Sequence, residues 1–151
     1  MARELGAAVV GCGAIAQTMH LPNILRHPSL RLAWCCDVDP DVLGAAASRF
    51  HPANTTSDAR DIASDPDCDV VFLCTTQEVR LPLIDLFSRA GKHLFVEKPM
   101  ADTFEEMKAI LHLARRSDVR ITIGHNRRAA PAVREALCIL DKHRADPVSP
   151  P

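Results

Sequence analysis

The feature that most constrains this chain is Val9-Val10-Gly11-Cys12-Gly13-Ala14-Ile15-Ala16. An apolar run, Ala7 to Val10, stops at a glycine, and a helical pattern begins within a few residues. Strand, tight turn and helix start, with the spacing G-x-G-x-x-A, form the dinucleotide-binding fingerprint. Each residue type has a physical reason. Gly11 permits the sharp exit from the strand. Gly13 lets a pyrophosphate approach bare backbone, and Ala16 lets the helix pack closely on the strand. The N–H groups of Ala14, Ile15 and their neighbours, at the positive end of the helix dipole, then face the phosphates.

The fingerprint also requires an acid about 20 residues on, at the end of the second strand. Leu30 to Cys36 alternates and then becomes wholly apolar, and it ends at Asp37. Asp37 is placed to accept hydrogen bonds from the adenosine ribose hydroxyls. The competing reading is that it only caps a turn. No arginine follows in Val38-Asp39-Pro40. A 2′-phosphate would meet Asp37 without a cation, so NAD is expected over NADP.

The remaining pattern is repetitive in kind. A helix is expected from Ala14 to His27, kinked or interrupted at Pro22. Asp39 then Pro40 reads as an N-cap with proline at the first helical position, for a helix to Phe50. Asn54-Thr55-Thr56 is a short third strand, and Ser57 or Asp58 starts a brief helix to Ala63. Asp65-Pro66-Asp67 is a turn. Asp69 to Thr75 is a fourth strand, apolar as one covered on both faces should be. A helix over Val79 to Ala90 ends at Gly91. His93 to Val96 is a fifth strand, and Thr103 with Glu106 forms a capping box for a helix to Arg116. Val119 to Ile123 is a sixth strand and Pro131 to His143 a last helix. Strands alternating with helices imply an α/β fold, a doubly wound parallel sheet of six strands in the order 3-2-1-4-5-6. In such a sheet Gly11, Gly13, Asp37, Thr75, Thr76, Glu97 and Lys98 all fall at carboxyl ends of strands and are expected to converge on one crevice. Residues 1–143 form the dinucleotide-binding domain. Residues 144–151, with three prolines, are read as an irregular tail or linker.

Composition narrows the partners. The formal net charge is −1, which gives no electrostatic case for nucleic acid or an anionic membrane surface. No apolar stretch approaches the ~20 residues of a membrane span. Met1-Ala2-Arg3-Glu4 leads straight into a strand, so no secretory leader is read and a cytoplasmic location is expected. The six cysteines form no C-x-x-C pair and are read as reduced and mostly structural, with no metal site. Cys12, at a helix N-terminus, has two readings: a favoured thiolate, or a small filler in the turn.

With Ala90-Gly91-Lys92-His93-Leu94-Phe95-Val96-Glu97-Lys98-Pro99 and Gly124-His125-Asn126-Arg127-Arg128 added to the glycine turn and Asp37, the chain resembles the Gfo/Idh/MocA oxidoreductases. The resemblance covers Ala7 to about Val148 and matches the family's N-terminal half. It implies an NAD(P)-binding domain whose lysine of E-K-P, here Lys98, reaches the nicotinamide end and the substrate as the catalytic group. It also implies a Lys98–Pro99 bond that is often cis. An ammonium there can orient a hydroxyl or carbonyl and stabilise developing negative charge. The alternative for Lys98 is a surface salt bridge with Glu97. Arg127 and Arg128 lie near the cofactor or an interdomain hinge, or are solvated charges. His125 is a general-base candidate by type and by its position after the sixth strand; the alternative is a structural histidine at a strand end. The sequence departs from the family at Thr76 and Arg80, where a proline and a histidine are usual. The resemblance further implies a C-terminal domain that supplies the substrate pocket and the oligomer interface and lies outside this chain.

The function expected is the cofactor-binding half of an oxidoreductase transferring a hydride at the carbinol or carbonyl of a sugar or polyol. It would be incomplete alone. The alternative is a nucleotide-binding module that senses or scaffolds. A methyltransferase fits poorly with the E-K-P segment and the sixth parallel strand. Either way, apolar surface left uncovered is expected to bring homo-oligomerisation or a partner chain.

Overall fold

The computed structural model describes residues 3–145. Its centre is β1, Leu5–Val10, because this strand has neighbours on both sides and five of its six residues are buried. Successive side chains of a strand point to opposite faces. Ala7 and Val9 accordingly enter one core layer, and Ala8 and Val10 the other. Around it stand β2 (Leu30–Cys36), β3 (Asn54–Thr56), β4 (Val70–Leu73), β5 (His93–Val96) and β6 (Ile121–Ile123). All pairings are parallel, in the order β3-β2-β1-β4-β5-β6 expected from the sequence. Registers run straight except for one irregularity between Ala7 and Ala8, where the β2 partner jumps from Leu32 to Trp34.

Helices cover the two faces unequally. One face carries α1 (Leu21–Arg26) and α2 (Pro40–Phe50), through Leu21, Ile24, Ala46 and Phe50. The other carries α3 (Ala59–Ser64), α4 (Arg80–Arg89) and α5 (Phe104–Arg116), through Ile62, Ile84, Phe87 and Ile110. A last helix, α6 (Pro131–Ala145), exposes Val133, Leu137, Ile139 and Leu140. No helix among the described residues is long and apolar enough to cross a membrane.

Local chemistry sets most boundaries. Asp39 accepts from the backbone N–H groups of Asp41 and Val42 at 2.9 and 3.2 Å and caps α2, with Pro40 in the first turn. Asp58, rather than Ser57, caps α3. Thr103 and Glu106 make the capping box of α5. Gly91, at φ +73°, closes α4, with Lys92 N–H donating to Phe87 C=O and Gly91 N–H to Ser88 C=O.

Beyond one-residue shifts at the ends of α3 and α4, four elements differ from the sequence expectation. The first helical run ends at Arg26. It is interrupted before Pro22 by a π-helical turn, Ala16–His20, in which Leu21 N–H reaches Ala16 C=O. The wider turn relieves the crowding that a proline ring imposes on the preceding turn. β4 is Val70–Leu73, not Asp69 to Thr75, because the chain peels away from the sheet after Leu73. There Cys74 and Thr75 pack beneath Gly11. β6 is shorter by its first two residues. The last helix continues through Arg144 and Ala145, so an irregular tail cannot start at 144. Helix-permissive residues extend to Ala145, ahead of Asp146-Pro147. The rest of the expected tail, 146–151, lies outside the described residues.

Candidate dinucleotide site

Gly11 leaves β1 at φ +86°, a left-handed conformation that favours glycine. A Cβ there would stand 2.9 Å from Cys74 C and Thr75 N, so the absent side chain also lets the exits of β1 and β4 touch. Gly13 differs. A Cβ built on it meets nothing within 4 Å. Gly11 is a packing requirement, whereas Gly13 leaves free space above the turn.

That space belongs to a cleft of about 660 Å³ whose floor includes Gly11, Gly13, Thr75 and Thr76. One wall is apolar, from Val79, Pro82, Leu83 and Leu86 at and after the start of α4. The other is polar, from Asp37, Ser57, Asp58 and Arg60 at the ends of β2 and β3. Thr75 Oγ1 is buried with no hydrogen-bond partner among the described residues. A flat apolar slot facing carboxylates, with an unpaired hydroxyl and open backbone between them, fits the adenosine diphosphate half of a dinucleotide in size and chemistry.

Asp37 does more than cap. Its Oδ2 accepts from Cys12 N–H at 2.7 Å and its Oδ1 from Asp39 N–H at 2.9 Å. The first bond braces the glycine turn and engages the Cys12 amide. Each oxygen retains further acceptor capacity, and Asp37 lines the cleft. Gln17 ties the same turn from the helix side, donating to Cys12 C=O at 2.9 Å. Negative charge concentrates here: burial, and then the charges of neighbours including Asp37, Asp58 and Asp61, push the Cys36 thiol up to about 12. The thiolate reading of Cys12 is overturned. Its side chain is fully buried, and the hydrogen bond with Cys35 followed by burial drives its titration far above the usual thiol range. It is a filler residue.

The other predicted residues lie elsewhere, so the expectation of one crevice is corrected: the structure makes two hollows. Ile15 and Glu97 line the second, of about 330 Å³, with Met19, His20, Phe72 and Phe95. Ala14 is exposed and Lys98 is exposed beyond Glu97. Lys98–Pro99 is cis. The salt bridge of Lys98 with Glu97 is not formed. The Glu97 carboxylate is buried and engaged by His20 Nε2 at 2.8 Å on Oε1 and by the Lys98 backbone N–H at 3.1 Å on Oε2. Lys98 has no ion-pair partner among the described residues. His125, Arg127 and Arg128 are exposed around a short 3₁₀ turn, Asn126–Ala129; Asn126 lines the edge of the second hollow, while His125 and Arg128 line a separate open hollow of about 660 Å³ with Ile123, Ala129 and Arg134.

Sequence reasoning missed two residues that shape the Lys98 end. His20 stacks with Phe72 and Phe95, ring centroids 5.7 and 5.2 Å away, and delivers its ring nitrogen to Glu97. Arg80, buried at 4% exposure, fans its guanidinium over three carbonyls. It donates to Thr75 at 2.6 and 3.1 Å, to Glu97 at 2.7 Å, and to Pro99. Burial pulls its titration below the usual arginine value, yet the group stays cationic. The only sequence signal for Arg80 was its departure from the family pattern, and none existed for the reach of His20 to Glu97. The two residues stitch β4 to the loop that carries Lys98.

Residues 5–125 match the family model described as an oxidoreductase family with an NAD-binding Rossmann fold, Gfo/Idh/MocA. Inositol 2-dehydrogenase of Rhizobium meliloti is 32% identical over 132 residues, covering 85% of this chain and 39% of that protein. Scyllo-inositol dehydrogenase of Lactobacillus casei, solved with NAD(H) and scyllo-inositol, superposes with a TM-score of 0.87 at 24% identity, over 94% of this chain and 42% of that one. A 3-ketoreductase of Actinomadura kijaniata solved with NADP superposes at 0.83 with 21% identity, over 93% and 43%. The chain spans a quarter to a half of the length of the curated relatives it matches. The match over 5–125, the parallel sheet in Rossmann order and the glycine turn agree: the chain belongs to the Gfo/Idh/MocA oxidoreductase family, in its NAD-binding Rossmann domain.

Proposed function

We propose that this chain holds NAD along the carboxyl ends of β1, β2, β4 and β5, as the cofactor-binding part of an oxidoreductase acting on the carbinol or carbonyl carbon of a sugar or polyol. The observation that carries the reading is the 660 Å³ cleft, in which Gly11, Gly13, Asp37, Thr75 and Thr76 meet with free space over Gly13. In this reading Gly13, Ala14 and Ile15 present backbone to the pyrophosphate, and Asp37 accepts from the adenosine ribose. Thr75 and Thr76 line the path between the two hollows. Glu97 and Lys98 face the nicotinamide end. When bound, the cofactor supplies the hydride donor or acceptor. Lys98 orients the reacting oxygen and stabilises negative charge on it. NAD is favoured over NADP because Asp37 lines the cleft and the cation beside it, Arg60, is paired with Asp58. The substrate class follows the names of the relatives, inositol dehydrogenase among them. The same reading places the protein in the cytoplasm, with the substrate pocket completed by a further domain, a second copy or a partner chain. The exposed Val133, Leu137 and Leu140 of α6 support such association.

Calorimetric titration with NAD, NADP and S-adenosylmethionine tests this. NAD binding with a micromolar constant is expected, weaker binding of NADP, and none of S-adenosylmethionine. Absence of dinucleotide binding overturns the reading.

A further inference from the structure

We propose that the Asp58–Arg60 pair selects the 2′ substituent of the adenosine ribose, a role that rests on the nucleotide-binding reading above. Arg60 is the one cation among the described residues lining the cleft, and it shares a wall with Asp37. The two stretches are adjacent because Asp37 N–H donates to Thr56 C=O at the end of β3, two residues before Asp58. Arg60 does not present its charge to the cleft unopposed. Its Nε lies 2.9 Å from each oxygen of Asp58, and its Nη2 donates to Oδ2 as well.

The consequence follows from charge. While the fork is closed, Arg60 and Asp58 cancel, and Asp37 leaves the wall net negative. A ribose 2′-hydroxyl donates to that wall, and a 2′-phosphate is repelled by it. With the fork open, a planar guanidinium with parallel N–H donors is the group best suited to grip a phosphate. The selectivity for NAD is thus held by the internal neutralisation of an available cation, not by the lack of one. The pair is exposed, with Arg60 at 80% and Asp58 at 40% side-chain accessibility, and contributes little to folding. Asp58 also accepts from Arg60 N–H at 2.9 Å as the cap of α3, a duty that asparagine or serine performs equally well.

The test is fluorescence titration of the full chain with NADH and NADPH, for the unaltered protein, Asp58→Asn, Arg60→Gln and the double variant, with Asp58→Ser as a second variant that removes the charge and keeps the cap. The unaltered chain is expected to prefer NADH by about tenfold or more, and Asp58→Asn and Asp58→Ser to narrow that preference about tenfold, the effect of one unpaired charge. Adding Arg60→Gln to Asp58→Asn should return the preference to that of the unaltered protein, and Arg60→Gln alone, which leaves Asp58 unpaired, should not narrow it. Equal narrowing in Asp58→Asn and in the double variant overturns the proposal, because simple removal of negative charge would then explain it. An unchanged preference in both Asp58 variants overturns it too. If the unaltered chain binds neither dinucleotide, the nucleotide-binding reading itself falls. If it binds NADH and only the variants fail to respond, the reading stands and this inference alone is lost.

Discussion

The two hollows beside the glycine turn are built by different means. At the Asp37 end most fixing contacts are short in sequence. Asp37 holds the Asp39 amide, Asp39 caps α2, and Asp58 caps α3 and pairs with Arg60 two residues on. At the Lys98 end they are long. His20 meets Glu97 across 77 residues, and Arg80 reaches Glu97 and Pro99 across 17 and 19. The first end is shaped by turn and cap chemistry and remains open. The second exists only after β4, β5 and the first helical run have packed together, and its polar groups are consumed by one another. Lys98 is left unpaired by that consumption, because the acid beside it is already held by His20.

The largest effect expected of any substitution tests the glycine turn, which borders both ends. Gly11→Ala forces a Cβ against Cys74 and Thr75 at a left-handed φ and should cost about 3 kcal/mol or more. That corresponds to a fall of roughly 10 °C in thermal midpoint for a chain of this size. Gly13→Ala meets no atom, so its midpoint should stay within the roughly 0.5 kcal/mol typical of neutral surface changes, while NAD affinity falls tenfold or more. Scanning calorimetry with and without NAD separates the two. Equal loss of stability in both variants would end the distinction between a packing glycine and an access glycine.

At the Lys98 end the order reverses, and stability should suffer more than adenosine binding. Arg80→Met removes one cation and strands the carbonyls of Thr75, Glu97 and Pro99, at a cost of about 3 kcal/mol. His20→Ala leaves the Glu97 carboxylate buried without its main partner and should cost about 2 kcal/mol. Glu97→Gln in the His20→Ala background should recover part of it, a coupling of about 1 kcal/mol readable from urea midpoints in a double-mutant cycle. Affinity for AMP, which carries only the adenosine end, should change less than threefold in either variant if the ends are independent, under about 0.7 kcal/mol. A tenfold loss would show that the two ends act as one unit.

This contrast explains what was legible in the sequence. The sheet order, the caps at Asp39, Asp58 and Thr103, the glycine closure of α4 and the Asp37 end all followed from local rules: period-two alternation, cap residues and glycine spacing. The π-turn at Ala16–His20 was visible only as a generic Pro22 disturbance, since a proline marks trouble without naming the remedy. His20 and Arg80 were not legible as site residues because no local pattern says where a long polar side chain goes. Their partners are a carboxylate and three carbonyls that only the folded sheet brings near. Arg60 was not legible for a related reason: it does not follow Asp37 in the sequence, and only the sheet places the end of β3 beside the end of β2.

Asp65 tests the contrast within a single carboxylate, with the smallest expected effect. Its Oδ1 makes a local turn contact, accepting from Asp67 N–H at 2.8 Å, and its Oδ2 a tertiary one, accepting from Trp34 Nε1–H at 2.6 Å. The Trp34 bond, reinforced by the Asp67 amide and the positive charge of Lys92, holds the Asp65 carboxyl below the usual carboxylate value. A depressed value in the folded state means stability that is present above the unfolded pKa and lost as pH falls through the folded one. The window therefore lies below about pH 4. Asparagine keeps the turn contact but accepts more weakly from the indole, and Asp65 is largely solvent-screened, so Asp65→Asn should lower the midpoint at pH 6 by no more than about 2 °C. The gap between the two proteins should then close toward pH 3, with the emission of Trp34, the single tryptophan, as the reporter. A gap that stays constant with pH would mean that the tertiary half of this contact contributes nothing and that the local half alone places the turn.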